Sequence, residues 1–238
     1  MGSEAVKTVA VIGGGASGMM AALTAAEDNN KVILFERQQR VGRKLAVTGN
    51  GRCNLTNTGA CPENYHGNGG DFPAAALNKF PPEEVLKYFR SLGLVTVTEY
   101  GGRVYPLSNS ANSVVDVLRF ALERMGIQLF TSEPVREIIA RKTGFTVRTE
   151  TQTLYADYVI MACGGAAGAR VGGVSDGYEL LKGLGHKRTK LCPALVQLIT
   201  EPDYPRALKG IRADAGVKFL GGGTVLAESA GELQFTDN

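Results

Sequence analysis

The first 36 residues place two short apolar runs on either side of a glycine-rich turn and an alanine-rich stretch. Val9, Val11 and Ile12 form a run long enough for a buried strand, and residues 32–35 form a second. The alanine-rich stretch between these runs predicts a helix that begins near Ala16. The segment is therefore predicted to fold as strand, glycine turn, helix and strand.

The rest of the first 190 residues alternates between helical and extended patterns. Helices are predicted from periodicity and from terminal proline or glycine residues over residues 74–80, 82–92, 112–125 and 178–184. Strands are predicted over residues 94–98, 103–106, 127–130 and 158–162, with an inserted β-meander at about 127–156. We therefore expect one α/β domain over residues 1–190.

After residue 190 the pattern changes to short apolar runs broken by glycine and proline. These runs cover residues 194–199, 217–220 and 224–226. They predict a β-rich second domain over residues 191–238. The strands are too few to close a sandwich or a barrel. We therefore expect this domain to be incomplete and the chain to be a fragment.

The composition narrows the class of protein. The chain has 238 residues, of which 44% are hydrophobic and 21% charged, enough for a sizeable core. A net charge of +3 is too small to indicate nucleic-acid binding by itself. No apolar run approaches the ~18 residues of a membrane helix. We expect a cytoplasmic globular protein that does not bind a membrane.

The cysteines also indicate a cytoplasmic protein, and the histidines are few. The four cysteines are far apart and form no C-x-x-C pair, which is typical of reduced cytosolic thiols. Only two histidines, His66 and His186, are present. We therefore assign no metal ligands and no histidine-based triad.

The glycine turn carries the first chemical signal. Gly13, Gly15 and Gly18 have the spacing G-x-G-x-x-G, which suits a tight turn, close approach of a pyrophosphate and close helix–strand packing. Glu36 ends the second strand, where an acid binds a ribose hydroxyl and favours FAD or NAD over NADP. A glycine turn of another α/β protein is the alternative. The flanking strand and helix favour the dinucleotide.

Residues 37–62 form the second signal, because they contain no acidic residue. The basic side chains in this segment are Arg37, Arg40, Arg43, Lys44 and Arg52. Gly and Asn residues between 49 and 57 allow positive φ, and amide side chains suit the edge of a heteroaromatic ring. Arg and Lys suit phosphate oxygens. The segment shows neither a helical nor a strand pattern, so we expect a long loop without regular structure. A ligand-binding loop is favoured over a solvated basic surface loop.

The strand at 158–162 meets two glycines and is the third signal. In a doubly wound sheet, strand ends of this kind line the crevice in which the ligand binds. The residues at this strand end are Ala162, Cys163, Gly164 and Gly165. An ordinary strand-to-loop turn explains the same residues equally well. The residues alone leave this choice open.

The sequence resembles the BaiN-like and aminoacetone oxidase-like flavoproteins, which have glutathione-reductase-type FAD domains. The specific match is the block T-G-N-G-R-C-N-L-T-N, preceded by G-R-K-L. The matching residues together cover nearly the whole chain; they comprise residues 13–18, 42–45, 48–57, 102–106, 162–165, 175–177, 185–186 and 231–237. Cys163 departs from the pattern, because such flavoproteins commonly carry threonine there.

The resemblance implies an α/β fold: a Rossmann-like FAD/NAD(P)-binding domain of three layers (ββα), with the start of a β-rich inserted second domain. It also implies extended FAD, with Ala16 and Ser17 at the pyrophosphate and Glu36 at the adenosine ribose. Arg37 and Lys44 would lie along the adenosine and phosphate side, residues 48–54 near the flavin, and the main chain of Val135 at the adenine. The complete set of expected cofactor contacts is Gly13, Gly15, Ala16, Ser17, Gly18, Glu36, Arg37, Arg43, Lys44, Thr48, Gly49, Asn50, Gly51, Arg52, Cys53, Asn54, Val135, Ala162, Gly164 and Gly165.

The function expected from this reasoning is an FAD-dependent oxidoreductase that acts on a small organic substrate, with NAD(P)H as a candidate electron donor. Backbone N–H groups of residues 49–54 are candidates to stabilise negative charge on reduced flavin. No residue is assigned a catalytic role, and Cys53 is more typical of packing than of redox chemistry. The alternatives are an NAD-binding protein without flavin and a non-catalytic or nucleic-acid-associated dinucleotide-binding protein. A missing part of the fold would leave an apolar seam that favours self-association.

Overall fold

A computed structural model describes residues 5–66, 69, 72–193, 197–201 and 203–236. Contacts divide the chain into two compact units, Met1–Arg188 and Thr189–Asn238. The domain boundary predicted between residues 190 and 191 stays a prediction.

Over its described residues, the first unit contains ten strands and five α-helices. The strands are β1 (Thr8–Ile12), β2 (Lys31–Phe35), β3 (Thr56–Asn57), β4 (Thr96–Thr98), β5 (Arg103–Pro106), β6 (Gln128–Phe130), β7 (Glu137–Ala140), β8 (Phe145–Arg148), β9 (Thr153–Ala156) and β10 (Tyr158–Met161). The helices are α1 (Ala16–Glu27), α2 (Ala74–Lys79), α3 (Pro82–Ser91), α4 (Ala111–Arg124) and α5 (Asp176–Gly183).

A parallel sheet of order β10-β1-β2-β6 is the centre of this unit. Val9 of β1 pairs with Val32 of β2 on one side and with Tyr158 of β10 on the other. β1 and β2 are buried along almost their whole length. They therefore consist of continuous apolar runs, as strands with both faces covered do.

The alternation of side chains along β1 and β2 divides the core into two halves. Val9, Val11, Val32 and Leu34 point to one face, where they pack against α1 and α4. The residues that complete this half include Met19, Leu23, Val114, Leu118 and Leu122.

The other face carries the second half of the core. Ala10, Ile12, Ile33 and Phe35 pack there against the antiparallel meander β7-β8-β9. Phe35 also stacks on Phe130 of β6, with ring centroids 5.5 Å apart. Helices, parallel sheet and meander thus form three layers, which confirms the predicted Rossmann-like α/β fold.

The meander is shorter than the sequence predicts. Within the predicted range of about 127–156, residues 128–130 form β6 and belong to the parallel sheet. β6 pairs with β2 because Phe130 finds its packing partner in Phe35. The antiparallel meander itself begins at Glu137.

The acid-free segment also has more regular structure than expected. Residues Leu45–Gly51 form 3-10 turns interrupted by non-helical residues, and Pro62–Asn64 form another turn. β3 pairs with β5 in a third sheet of order β3-β5-β4. The expectation of a loop without regular structure is wrong at these places, because the backbone N–H groups find partners locally and on β5.

The second unit is built on one long hairpin. Helix α6 (Asp203–Ala207) precedes strands β11 (Arg212–Gly221) and β12 (Thr224–Gln234), which pair antiparallel. The predicted runs 217–220 and 224–226 are parts of these strands. Of the predicted run 194–199, residues 194–196 lie outside the described residues, as does residue 237 of the matched C-terminal block. None of the helices in the described ranges has the length and apolar character needed to cross a membrane.

Gly18 is a glycine with very little space around it. A Cβ atom at this position would lie 1.7 Å from the carbonyl oxygen of Gly13. Replacing Gly18 with alanine is therefore expected to lower the free energy of unfolding by about 3 kcal/mol or more, because backbone must move. Urea denaturation followed by circular dichroism measures the change.

Gly183 provides the matched control, because it is also helical but no described atom lies within 4 Å of the position that an added Cβ would take. Gly183→Ala should be neutral or stabilising by up to about 1 kcal/mol. Equal stability of the Gly18 and Gly183 variants would contradict the close packing at Gly18.

Candidate functional site

A cleft of about 650 Å³ opens at the carboxyl ends of β1, β2 and β10. Ligands of open α/β sheets bind at this edge, where successive connections lead to opposite faces. The cleft brings together fourteen of the expected cofactor contacts: Gly13, Gly15, Ala16, Ser17, Glu36, Arg37, Arg43, Lys44, Thr48, Cys53, Asn54, Val135, Ala162 and Gly164. Gly18, Gly49, Asn50, Gly51, Arg52 and Gly165 do not line it.

The glycine turn forms the floor of the cleft. Gly13 has a φ of 110° and donates its N–H to the carbonyl of Phe35 at 2.8 Å. A side chain there would strike the carbonyl oxygen of Ala162 at 2.4 Å, so only glycine lets β1 lie this close to the end of β10. Around Gly15, by contrast, no described atom lies within 4 Å of a Cβ position, and the residue lines the cleft. An approaching ligand can therefore reach its backbone.

The start of α1 faces the same space. Gly15 occupies the N-cap position without a side-chain cap, and the first turn contains no acidic residue. Ala16 and Ser17 line the cleft. The first N–H groups of a helix have no intrahelical partner and carry the positive end of its dipole. This end of α1 therefore suits an anionic group.

Glu36 is held in one orientation beside that helix end. Its Oε2 accepts the N–H of Gly14 and its Oε1 accepts the N–H of Gln38, each at 2.7 Å. A carboxylate has about four acceptor positions, so each oxygen keeps one for a hydroxyl in the cleft. The carboxylate is thus a preorganised acceptor at the end of β2.

Gly14 is also constrained, although the sequence motif does not single it out. A Cβ atom there would lie 2.7 Å from Val41 and 3.0 Å from the side chain of Glu36. Its carbonyl accepts the N–H of Gly42 at 2.8 Å. The run of three consecutive glycines could have indicated this constraint. The G-x-G-x-x-G pattern does not, because Gly14 occupies its first unspecified position.

Three basic side chains of the acid-free segment reach the stretch that follows β10. Arg37 pairs with Asp176 at 3.2 Å, and Lys44 donates to the carbonyl of Gly165 at 3.4 Å. Arg43 donates to the Gln38 side chain at 2.7 Å and to the carbonyl of Arg170 at 3.3 Å. All three basic residues line the cleft, so positive charge is concentrated along one wall.

The block T-G-N-G-R-C-N contributes only part of its residues. Thr48, Cys53 and Asn54 line the cleft. The N–H groups of Arg52 and Cys53 donate to the carbonyls of Gly49 and Thr48, at 3.1 and 3.0 Å. These two N–H groups are therefore already used within the loop and are not available to a ligand.

Apolar residues outside the expected cofactor contacts form another wall of the cleft. They come from α1, the acid-free segment, α3 and α4: Met20, Leu45, Leu55, Phe89, Val114 and Leu118. Helical periodicity marks such positions as buried without showing that a cavity adjoins them. Other lining residues that sequence reasoning missed are Gln38, Gly42, Glu133, Pro134, Val171, Gly172, Val174, Asp176 and Leu180.

Glu133 fixes the chain where Val135 enters the cleft. Its N–H donates to the carbonyl of Glu36 at 3.0 Å, and the Thr151 hydroxyl donates to its carboxylate. Hydrogen bonds from Thr149 and Thr151 hold the pKa of Glu133 below its usual value. Glu133 is thus tied by its main chain to Glu36, which follows β2, and by its side chain to the turn between β8 and β9.

Cys163 closes the end of β10. Its Sγ donates to the carbonyl of Ile12 at 3.4 Å, and its Cβ sits where a side chain on Gly177 would collide. Burial, with smaller contributions from Glu36 and Asp176, raises the pKa of this thiol to about 11. The thiol is therefore neutral at physiological pH.

Cys53 is also a neutral, buried thiol. It is only 5% exposed, and burial raises its pKa although a hydrogen bond with Thr48 acts in the opposite direction. Nucleophilic cysteines instead have lowered pKa values. Among the described residues, no cluster of three or more His, Cys, Asp or Glu side chains is placed to hold a metal ion.

A family model covers almost the whole chain. Residues 7–232 match the model described as HI0933-like protein Rossmann domain, so the chain belongs to that family. This confirms the resemblance drawn from the sequence motifs.

Curated relatives extend this result. The chain is 40% identical to a 3-dehydro-bile acid delta(4,6)-reductase of Clostridium scindens over 206 residues, which cover 87% of the chain and 50% of the relative. It is 26% identical to a ribosomal RNA dihydrouridine synthase of Escherichia coli, with 87% and 51% coverage. The chain therefore spans about half the length of these relatives.

Solved structures agree on the fold. A 3-ketosteroid-delta4-(5alpha)-dehydrogenase from Rhodococcus jostii superposes with a TM-score of 0.53 at 16% identity, covering 69% of this chain and 47% of the other. THI4 of Thermovibrio ammonificans gives a TM-score of 0.50 at 15% identity, with 76% and 64% coverage. At these identities the likeness concerns the fold alone.

The thiol environments lead to a prediction about alkylation. Iodoacetamide reacts with thiolates, so Cys192, which is exposed, should be labelled first at pH 7.5. Cys53 and Cys163 should be labelled mainly after denaturation, because burial raises their pKa values. Peptide mass spectrometry of the labelled protein measures the order. Labelling of Cys53 in the folded protein as fast as Cys192 would contradict its assignment as a packing residue.

Proposed function

We propose that this chain binds FAD and that the protein is an FAD-dependent oxidoreductase. The observation that carries the proposal is the cleft in which an uncapped helix end, an oriented carboxylate and a basic wall face one another. These groups match the diphosphate and the ribose of a dinucleotide. The open space beside Gly15 and Gly164 fits a ligand lying against backbone.

The polar part of the cleft suits the adenosine diphosphate half of FAD. Ala16 and Ser17 would donate backbone N–H groups to the diphosphate, and Glu36 would accept the ribose hydroxyls. Arg43 and Lys44 would neutralise phosphate charge after exchanging their present contacts with Arg170 and Gly165. The main chain of Val135, held by the bonds of Glu133, would meet the adenine.

The remaining part of the cleft suits the isoalloxazine half. Thr48, Cys53 and Asn54 would approach the ring from the acid-free segment. The apolar wall that includes the buried residues Phe89, Val114 and Leu118 would exclude water from it. Mixed polar and apolar linings of this kind are usual in cofactor sites.

Bound FAD would supply hydride transfer, and the chain would bind, orient and shield it. Two N–H groups expected to face the reduced ring, those of Arg52 and Cys53, already have loop carbonyls as partners. The N–H of Asn54 is the better candidate for stabilising negative charge there. The raised pKa values of Cys53 and Cys163 argue against a nucleophilic role for either thiol.

A small organic substrate is proposed, since the relative with 40% identity is by name a bile acid reductase. NAD(P)H as the electron donor, a cytoplasmic location and self-association remain expectations from the sequence. The nucleic-acid-associated alternative gains no support from the basic segment, because Arg37, Arg43 and Lys44 contact the stretch after β10 across the cleft.

Reconstitution with FAD tests the proposal directly. The purified chain, incubated with FAD and passed over a desalting column, should retain a visible flavin spectrum and should retain no NAD in a parallel trial. In the Glu36→Gln variant the FAD dissociation constant should rise about tenfold or more, because hydrogen bonds to a charged acceptor are lost. Fluorescence quenching of FAD measures it.

Glu123→Gln is the control for this variant, since Glu123 is exposed on α4, where it pairs with Arg119 one turn away. Its affinity for FAD should match that of the wild type. Retention of NAD instead of FAD would favour an NAD-binding protein without flavin and would reject the proposal.

Lys44 should contribute to FAD affinity through its positive charge. Lys44→Ala is expected to raise the FAD dissociation constant about fivefold and to reduce its dependence on salt concentration, because a screened attraction to phosphate is removed. Titrations at low and high salt measure both effects. Lys142→Ala, in the exposed turn between β7 and β8, is the control. Unchanged salt dependence of the Lys44 variant would contradict the phosphate assignment.

A further inference from the structure

Arg52 is expected from the sequence to touch the cofactor, but its side chain leaves the cleft. The guanidinium binds both carboxylate oxygens of Glu99 and donates to the side chain of Asn109. It also lies over the ring of Tyr105, with its central carbon 4.0 Å from the ring centroid. Arg52 itself does not line the cleft.

These three partners belong to the third sheet and its turns. Glu99 follows β4, Tyr105 lies in β5, and Asn109 stands in the turn after β5. Tyr105 is only 7% exposed, so its ring provides a fixed surface. Arg52 therefore fastens the middle of the loop 48–54 to three separate points of one sheet.

The loop needs such an anchor because its backbone is strained. Gly49, Asn50, Gly51 and Cys53 have φ values of 53°, 59°, 82° and 59°. Left-handed conformations are unfavourable for residues with a side chain, which here are Asn50 and Cys53. They persist where surrounding contacts impose them. Gly49 is also tightly placed, since a Cβ there would lie 2.6 Å from the N of Asn54 and 3.4 Å from the Tyr105 ring.

We infer that Arg52 is a positioning residue: it holds the loop 48–54 in the strained conformation that turns Thr48, Cys53 and Asn54 toward the cleft. It acts on the cofactor through those residues and makes no contact with it. The inference rests on the proposed function, because it assigns the loop to the isoalloxazine half of FAD.

Lysine cannot replace Arg52 in this role. The planar guanidinium binds Glu99 in a bidentate manner while its face stacks on Tyr105, and an ammonium group provides only a point charge. Arg52→Lys keeps the positive charge but removes the planar guanidinium. This variant therefore distinguishes a positioning role of Arg52 from simple electrostatic attraction.

The test compares FAD with ADP, which lacks the isoalloxazine half. Calorimetry should show that Arg52→Lys raises the dissociation constant of FAD about tenfold and changes that of ADP less than about twofold, since charged hydrogen bonds in the anchor are lost. Glu99→Gln should shift the same FAD-to-ADP ratio in the same direction. The visible circular dichroism of bound FAD should change in both variants, because the ring surroundings change.

Arg103→Lys is the matched control, since Arg103 is an exposed residue of β5 whose Nε donates to the carbonyl of Tyr100. Its FAD-to-ADP ratio should equal that of the wild type. An equal loss of FAD and ADP in Arg52→Lys would indicate general destabilisation and overturn the inference. An unchanged FAD-to-ADP ratio in Arg52→Lys would also overturn the inference. A loss of FAD affinity in Arg52→Lys that Glu99→Gln does not reproduce would overturn it as well. Failure of the wild type to bind either ligand would instead reject the proposed function.

Discussion

The close approach of the Gly13 carbonyl to Gly18 is the constraint on which the cleft depends. Because no side chain separates them, α1 begins directly against the end of β1. Gly13 at the same time lies against Ala162, which brings the end of β10 to the same point. The helix end, the strand ends and the carboxylate of Glu36 can face one space only because these contacts are made without Cβ atoms.

The two halves of the core keep that arrangement in place. Alternating side chains of β1 and β2 pack on helices on one face and on the meander on the other. Both layers also contribute to the cleft, through Met20 on the helical side and through the stretch before β7 that contains Val135. The shape of the cleft therefore depends on the packing of the core, since the same layers that bury the sheet form the walls of the cleft.

The acid-free segment contacts two different parts of the structure. Part of it, including Lys44, Thr48 and Asn54, faces the cleft, and part of it, notably Arg52, faces the third sheet. A loop that presents polar groups to a ligand must itself be held by a scaffold. Here the scaffold is the small sheet β3-β5-β4, whose strands have no role in lining the cleft among the described residues.

The sequence alone determined the βαβ start and the general place of the site, and its resemblance to a known family implied the three layers. The start and the site follow from local patterns: buried apolar runs, glycine spacing and an acid at the end of β2. Tertiary structure decided which members of a motif face the cleft. Adjacent residues such as Arg52 and Cys53 have the same sequence context, yet one binds Glu99 and the other lines the cleft. Side-chain direction in a loop of left-handed residues depends on contacts with β4 and β5, which are distant in sequence, and no local pattern encodes them.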